Sequence, residues 1–158
     1  MTEQIKLTLD KSLKNLVQTI VSCIFFTHDG KYLLQLRDDK NGLPLRNHWA
    51  LFGGEVEEYE NEYLAIKREM HEELKFESID YQWFHEAIYA FPDHHIGIVR
   101  KIYFTIPITD LEFSNMELCE GAEKRLFNLK EILLLEKISP WDISAILLHA
   151  RKNIIFAK

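Results

Sequence analysis

A glycine pair followed by an acidic, amphipathic segment constrains this sequence more than any other feature. The stretch runs from Gly53 to Phe76 and reads GGEVEEYENEYLAIKREMHEELKF. The two glycines allow a tight turn in which bare backbone can approach a ligand. At 100° per residue, the segment from about residue 61 to residue 74 is predicted to form a helix with an apolar arc facing a core. That arc comprises Tyr63, Ile66, Met70 and Leu74.

Three carboxylates fall on the arc beside this apolar stripe. They are Glu69, Glu72 and Glu73, which are helix neighbours because positions three and four apart share a face. Like charges at this spacing destabilise a helix by roughly 0.2–0.5 kcal/mol per pair, so stability does not account for them. Hard cations such as Mg²⁺ prefer oxygen ligands. The spacing therefore indicates either a metal site or a solvated acidic face, and on spacing alone the acidic face is the commoner explanation.

The negative charge of the chain is concentrated in the same stretch. The chain has 158 residues and a formal net charge of -6. Residues 55–73 hold eight Glu against one Lys and one Arg, so this segment carries the whole excess and the other positions balance. Such a surface repels bare nucleic acid unless cations intervene, and no Lys/Arg-rich patch is present. We therefore expect no nucleic-acid partner.

Length and composition predict one globular domain over residues 1–158. Its two cysteines, Cys23 and Cys119, have no metal-type spacing and form no disulfide framework. No apolar run reaches the roughly 18 residues of a membrane span, and the N-terminus lacks the pattern of a secretory signal. We expect a cytoplasmic protein with no membrane partner.

Alternating and β-branched runs predict strands on both sides of the acidic helix. The predicted strands cover residues 17–27, 31–37, 49–52, 78–89, 96–108 and 125–128. His28-Asp29-Gly30 marks a hairpin. Residues 1–16 favour an edge strand or a short helix, and residues 109–120 read as acidic and irregular. This order predicts an α+β fold, an α/β/α sandwich with a mixed β-sheet.

Two helices are predicted near the C-terminus. The first covers residues 129–136, and the second begins at a Ser139 cap with Pro140 in the first position and runs to about Lys152. The side chains predicted to turn inward are those of Ile143, Ile146, Leu147 and Ala150.

The wider pattern around the acidic arc resembles the Nudix box of the Nudix (MutT-like) hydrolases. The matching positions are Gly54, Glu60, the run Arg68-Glu69-Met70-His71-Glu72-Glu73 and the apolar Phe76. Every charged position of the box, residues 54–76, is present, whereas Lys75 stands where the family usually has Gly. That Gly serves a left-handed turn, so Lys75 is expected to cost about 1 kcal/mol. The resemblance implies the Nudix fold.

The resemblance also implies a metal-dependent pyrophosphohydrolase. Family members use Mg²⁺ or Mn²⁺ to cleave a nucleoside diphosphate linked to a moiety X, which here would be a nucleoside triphosphate or a nucleotide sugar. The implied metal ligands are Glu69, Glu72, Glu73 and the backbone carbonyl of Gly53. Glu69 and Glu73 are thereby catalytic candidates, and Glu69 is also a candidate general base. Gly54, Glu60 and Arg68 would be structural.

Two further candidates lie outside the box. Cys119-Glu120-Gly121 resembles a Glu-Gly step of MutT-like members, so Glu120 is an additional metal ligand, the general base or a solvated loop acid. Its rivals are Glu112, Glu117 and Glu123. Arg37 ends the second predicted strand beside a polar loop, where a cation either binds a substrate phosphate or forms a surface salt bridge. Trp49 and Phe91 have rings that can stack a base, although core packing is the expected role of Trp49.

The main alternative is a non-hydrolysing Nudix domain that binds a nucleotide ligand or regulates another process. Lost box carboxylates would favour that alternative, and none are lost. A third interpretation treats the acidic face as a docking surface for a basic partner, but it does not explain the glycine pair or the box spacing. The amphipathic N-terminus and the aromatic side chains would allow a homodimer.

Overall fold

Six strands form one mixed sheet in the computed structural model, which describes residues 17–42, 44–91 and 97–155. The strands are β1 (Val17–Phe26), β2 (Tyr32–Leu36), β3 (Trp49–Ala50), β4 (Gln82–Phe91), β5 (Gly97–Pro107) and β6 (Glu123–Phe127). Their order is β3-β2-β1-β5-β4, and β6 also pairs with β2. β1 runs parallel to β5, and the other pairs are antiparallel.

Helices cover both faces of the sheet. They are α1 (Glu62–Leu74), α2 (Asp110–Asn115), α3 (Leu129–Leu133) and α4 (Pro140–Ile155). α1 packs with Val21, Cys23 and Phe25 of β1 in one core cluster, while Ile24 of the same strand joins α3 and α4 in a second cluster. This alternation follows from the two-residue period of a strand. The predicted α/β/α sandwich is confirmed, and no helix within the described ranges is long and apolar enough to cross a membrane.

Local signals at both ends define α1. The side chain of Asn61 accepts a hydrogen bond from the Leu64 amide at 2.9 Å, which satisfies a free donor at the helix start. Lys75 ends the helix in the left-handed conformation (φ 52°, ψ 28°), as the box pattern predicted. Ile66, Met70 and Leu74 are buried as expected. Tyr63 lies at the margin of the apolar arc: its ring packs edge to face on the buried Phe104, with centroids 5.8 Å apart, while 39% of the residue stays exposed.

Three predictions of local structure are wrong. Residues 109–120 are not wholly irregular, because Thr109 and Glu112 form a reciprocal capping box that starts α2. β4 begins at Gln82, not at residue 78, because the Asp80 amide bonds the Ser78 hydroxyl in a turn. Ala150 is exposed on α4. The buried stripe of α4 is instead Asp142, Ala145, Ile146 and His149.

The predicted element at residues 1–16 and the loop at residues 92–96 lie outside the described residues.

Candidate active site

Gly53 and Gly54 lie directly against the edge of β1. The Val21 amide donates to the Gly54 carbonyl at 2.9 Å, and the Cys23 amide donates to the Phe52 carbonyl at 2.9 Å. Gly53 has a φ of 142°, and a Cβ there would collide with the Val21 carbonyl. A Cβ on Gly54 would collide with the carboxylate of Glu69. Gly53 is therefore required by the close approach of backbone, whereas a Cβ at Gly54 would displace the end of the Glu69 side chain.

Glu73 is the most deeply placed carboxylate of the acidic arc. Only 5% of the residue is exposed. The Gly53 amide donates to its Oε2 at 2.8 Å, and Gln35 Nε2 donates to its Oε1 at 3.2 Å. Burial raises the pKa of Glu73 to about 8, and the nearby charges of Glu69 and Glu120 act in the same direction. The negative charge of the ionised carboxylate is therefore costly in this position, and a bound cation would offset that cost.

The carboxylate of Glu69 is also partly shielded from water. Burial raises its pKa above the ordinary value, and the charges of Glu72 and Glu120 add to the shift, whereas hydrogen bonding to Arg68 opposes it. The side chain of Glu72 is 53% exposed. The arc predicted from helical spacing therefore contains one buried, one partly buried and one exposed carboxylate.

Arg68 connects the arc to the loop that precedes α1. Its guanidinium donates to both oxygens of Glu60, to Glu69 Oε1 at 2.7 Å and to Glu72 Oε2 at 3.1 Å. Its Nη2 also donates to the Glu55 carbonyl at 2.9 Å. These bonds lower the pKa of Glu60, and that carboxylate accepts the Glu57 amide at 3.0 Å as well. Arg68 thus fixes the loop and two of the three arc carboxylates together.

A cavity of about 630 Å³ opens over Glu73, and Gln35, Arg37 and Glu120 are among its lining residues. The Glu120 side chain is exposed, and its loop is fixed because the Cys119 amide donates to the Glu73 carbonyl at 2.8 Å. The Nε atom of Arg37 is buried and has no hydrogen-bond partner within the described residues. We call this space the acidic cavity.

The rivals of Glu120 lie elsewhere. Glu112 is engaged in the capping box of α2, and neither Glu117 nor Glu123 lines the acidic cavity.

Trp49 packs against the ring of Phe127 with centroids 4.6 Å apart, so its expected core role is confirmed. A larger groove of about 720 Å³ on the outer side of α1 touches Glu72 but neither Glu69 nor Glu73, so it does not contain the buried carboxylates.

The carboxylates are close but do not surround a common point. In the described part of the chain, no three His, Cys, Asp or Glu side chains form a ready metal-holding group. Hydrogen bonds explain this arrangement, since Glu69 and Glu72 point to Arg68 while Glu73 points to Gly53 and Gln35.

Sequence reasoning missed two polar groups beside this site. Gln35 lies two positions after Leu33 in an apolar strand, so the two side chains share a face of the sheet. This spacing could have predicted from the sequence that Gln35 is buried. The second group is an ion pair between Lys101 Nζ and Asp142 Oδ1 at 2.6 Å. It lines a smaller cavity of about 170 Å³, whose walls also include Arg37, Gly53 and Gly54. We call this space the small cavity.

The NUDIX domain family matches residues 17–148 of the chain. No curated protein sequence matched it. The MutT protein from Methanosarcina mazei Go1 has a similar structure, with a TM-score of 0.72 and 20% identity over 87% of this chain and 96% of that one. The ORF135 protein of E. coli has a TM-score of 0.69 and 21% identity, covering 90% of this chain and 96% of its own.

A third similar structure is the NUDIX domain of NrtR from Shewanella oneidensis, solved with ADP ribose. It has a TM-score of 0.71 and 18% identity over 98% of this chain and 99% of that one. At these identities the likeness establishes the fold alone.

Proposed function

The chain belongs to the NUDIX domain family, and on that premise we propose that it is a metal-dependent pyrophosphohydrolase. Its substrate is a nucleoside diphosphate linked to a moiety X, of the nucleoside triphosphate or nucleotide sugar class. The observation that carries the proposal is the buried Glu73, which is held between Gly53 and Gln35 at the floor of the acidic cavity. A carboxylate kept in such a position at the cost of a raised pKa is typical of a functional site.

The donor chemistry fits Mg²⁺ or Mn²⁺. Glu69 and Glu73 have pKa values raised by burial and by neighbouring carboxylates, and both effects favour a bound cation. Glu69, Glu72, Glu73, Glu120 and the Gly53 carbonyl would hold the metal. Arg68 bonds only Oε1 of Glu69 and Oε2 of Glu72, so the second oxygen of each carboxylate remains available to the metal. When bound, the divalent ion supplies charge neutralisation at the phosphates and lowers the pKa of water.

The residues of the chain then have distinct roles. Arg68 and Glu60 hold the loop and orient the arc carboxylates. Arg37, at the rim of the acidic cavity with an unpaired buried Nε donor, binds a substrate phosphate. The attacking water loses its proton to a carboxylate oxygen of Glu69 or of Glu120, and both residues remain candidates for this base. The oxygen of that water forms a bond to phosphorus as the bond to the leaving phosphate oxygen breaks.

A second candidate function is a domain that binds a nucleotide-type ligand without hydrolysing it. Two observations favour it. The carboxylates of the described residues are not gathered into a metal-holding group. The NrtR domain, which has a similar structure over 98% of this chain, was solved with ADP ribose bound.

The test is a substrate panel assayed for release of phosphate or nucleotide, with Mg²⁺, with Mn²⁺ and with EDTA. The panel holds nucleoside triphosphates including oxidised ones, nucleotide sugars, ADP-ribose, NADH and dinucleoside polyphosphates. We expect cleavage of one class that requires the metal. Binding of a panel member by calorimetry with no turnover in either metal would contradict the hydrolase and support the binding domain.

A further inference from the structure

The small cavity contains a buried cation whose hydrogen-bonding capacity is not used up. Lys101 is 6% exposed and Asp142 is 1% exposed. The Lys101 ammonium carries three N–H donors. One of them donates to Asp142 Oδ1, and no other acceptor lies within reach among the described residues. The rings of Tyr103 and Trp141 lie 5.5 Å and 5.6 Å from Nζ and offer only their faces.

Both carboxylate oxygens of Asp142, by contrast, have a partner. Its Oδ1 accepts from Lys101, and its Oδ2 accepts from the Leu51 amide at 3.1 Å. The Asp142 amide in turn bonds the Ser139 hydroxyl at 3.3 Å. The carboxylate is therefore a fixed support that holds the ammonium at the cavity wall. A buried ion pair is weak evidence for stability, so its position invites a functional explanation.

The walls of the small cavity select the chemistry of a ligand. Ile20, Leu45, Leu51 and Trp141 contribute apolar surface, and Lys101 and Arg37 Nε contribute spare donors. Ser22 and Ser139 add hydroxyls that can donate or accept. A flat, largely apolar group with an acceptor on its edge matches this combination. The volume of about 170 Å³ lies below the roughly 300–1,000 Å³ of sites that take a whole small molecule. One ring fits this description better than an entire nucleotide.

The two cavities are adjacent. Arg37 lines both of them, and Gly53, whose amide bonds Glu73, lines the small cavity. A phosphate chain at the acidic cavity can therefore continue past Arg37 and Gly53 to a ring in the small cavity.

We propose that the small cavity receives the nucleobase of the substrate. The Lys101 ammonium would select bases that carry a carbonyl oxygen, and not an amino group, at C6 of a purine or C4 of a pyrimidine. Guanine, hypoxanthine and uracil present such an oxygen, whereas adenine and cytosine present an amino group that can only donate. This inference rests on the proposed function for the identity of the ligand, and it names Lys101 as the residue that determines base specificity.

The test separates base recognition from turnover. Binding of GMP against AMP, of IMP against AMP and of UMP against CMP is measured by calorimetry with saturating Mg²⁺, because a monophosphate has no phosphoric anhydride bond to hydrolyse. We expect the oxo base to bind about 10- to 100-fold more tightly in each pair, the range for one hydrogen bond to a charged group. Equal affinities within a pair, or no measurable binding of any monophosphate, would overturn the inference. Failure of the substrate panel with this binding preference intact would overturn only the hydrolase proposal.

The variant that tests Lys101 neutralises the pair without stranding a charge. In Lys101→Met/Asp142→Asn the amide oxygen still accepts the Leu51 amide, and the preference for the oxo base should fall to within about 3-fold. Arg100→Met is the matched control, because Arg100 is the adjacent residue of β5 and bonds Glu62 and Glu86 away from the small cavity. A preference that persists in the double variant, or one that is lost equally in the control, would contradict the role of Lys101. The wild-type ratios remain decisive if the double variant does not fold.

Discussion

Arg68 has a role at the residue scale that no other cation could take over. A single guanidinium reaches both oxygens of Glu60, one oxygen each of Glu69 and Glu72, and the Glu55 carbonyl. These acceptors lie in different directions around a planar fork, whereas an ammonium is a compact charge with three donors. The chain thus orients Glu69 and Glu72 through one residue that bridges helix and loop.

We predict that Arg68→Lys lowers both stability and turnover although it keeps the charge. Losing two or more charge-assisted bonds should cost about 1–3 kcal/mol of unfolding free energy. Thermal unfolding measures the stability, and steady-state kinetics on the best panel substrate should show a lower kcat. Lys67→Arg is the control, since it makes the opposite exchange one position earlier, outside this network. An Arg68→Lys protein with wild-type melting temperature and kcat would refute the assigned role.

At the scale of the element, α1 combines an uncomplicated start with a strained end. Asn61 caps its first turn, but Lys75 adopts φ 52° where a side chain with a Cβ is disfavoured. The left-handed turn returns the chain to the sheet, because the Phe76 amide bonds the Met70 carbonyl at 3.1 Å and Phe76 enters the core. The fold therefore requires the turn even though this sequence has no glycine there.

Replacing Lys75 with Gly should stabilise the protein by about 0.5–1 kcal/mol, because glycine adopts this conformation without the Cβ penalty. Chemical denaturation gives the free energy directly. Lys75→Ala serves as the control, since it removes the same charge and keeps the Cβ. Equal stabilisation in Lys75→Gly and Lys75→Ala would show that charge, and not backbone strain, is responsible.

How well the sequence predicted a feature depended on how far apart along the chain its interacting residues are. The helix of residues 62–74 and the hairpin are local patterns, and their predictions are confirmed. The family indicated by the local box pattern is confirmed as well. The hydrogen bond from Gln35 to Glu73 and the ion pair of Lys101 and Asp142 join residues 38 and 41 positions apart. Strand alternation predicted an apolar face at Ile102 but gave no partner for Lys101 on the other face. Ala150 was misplaced because pairing at Asp142 places His149 in the buried stripe of α4 instead.

At the scale of the whole molecule, His149 links three elements on the face opposite to α1. Its Nδ1 lies 3.1 Å from the Tyr32 hydroxyl, and its Nε2 lies 3.1 Å from Lys152 Nζ. Its ring also packs on Phe26 and Phe84. Because an ammonium only donates, Nε2 is the acceptor, and the ring is neutral. Burial, with the charge of Lys152, lowers the pKa of His149 to about 4.

This lowered pKa predicts the pH dependence of stability. Between about pH 6.5 and about pH 4, the unfolded chain binds a proton at His149 that the folded protein does not bind. The contribution of His149 is therefore fully present above about pH 6.5 and is lost as the pH falls toward 4, on the order of 2–3 kcal/mol in total. His149→Gln should unfold with a smaller loss of stability over this window. Parallel profiles of the two proteins, measured by denaturation at pH 7, 6, 5 and 4.5, would contradict the assignment.

The central claim is that the buried Glu73 is required for turnover and not for folding. The most direct measurement is the rate of hydrolysis of the best panel substrate by wild type, Glu73→Gln and Glu58→Gln under saturating Mg²⁺. Glu58 is an exposed acid of the same stretch, so its variant controls for the loss of one negative charge. We predict that Glu73→Gln retains the wild-type circular dichroism spectrum and loses at least about 100-fold in kcat, while Glu58→Gln stays near wild type. A folded Glu73→Gln protein with near wild-type kcat would contradict the account.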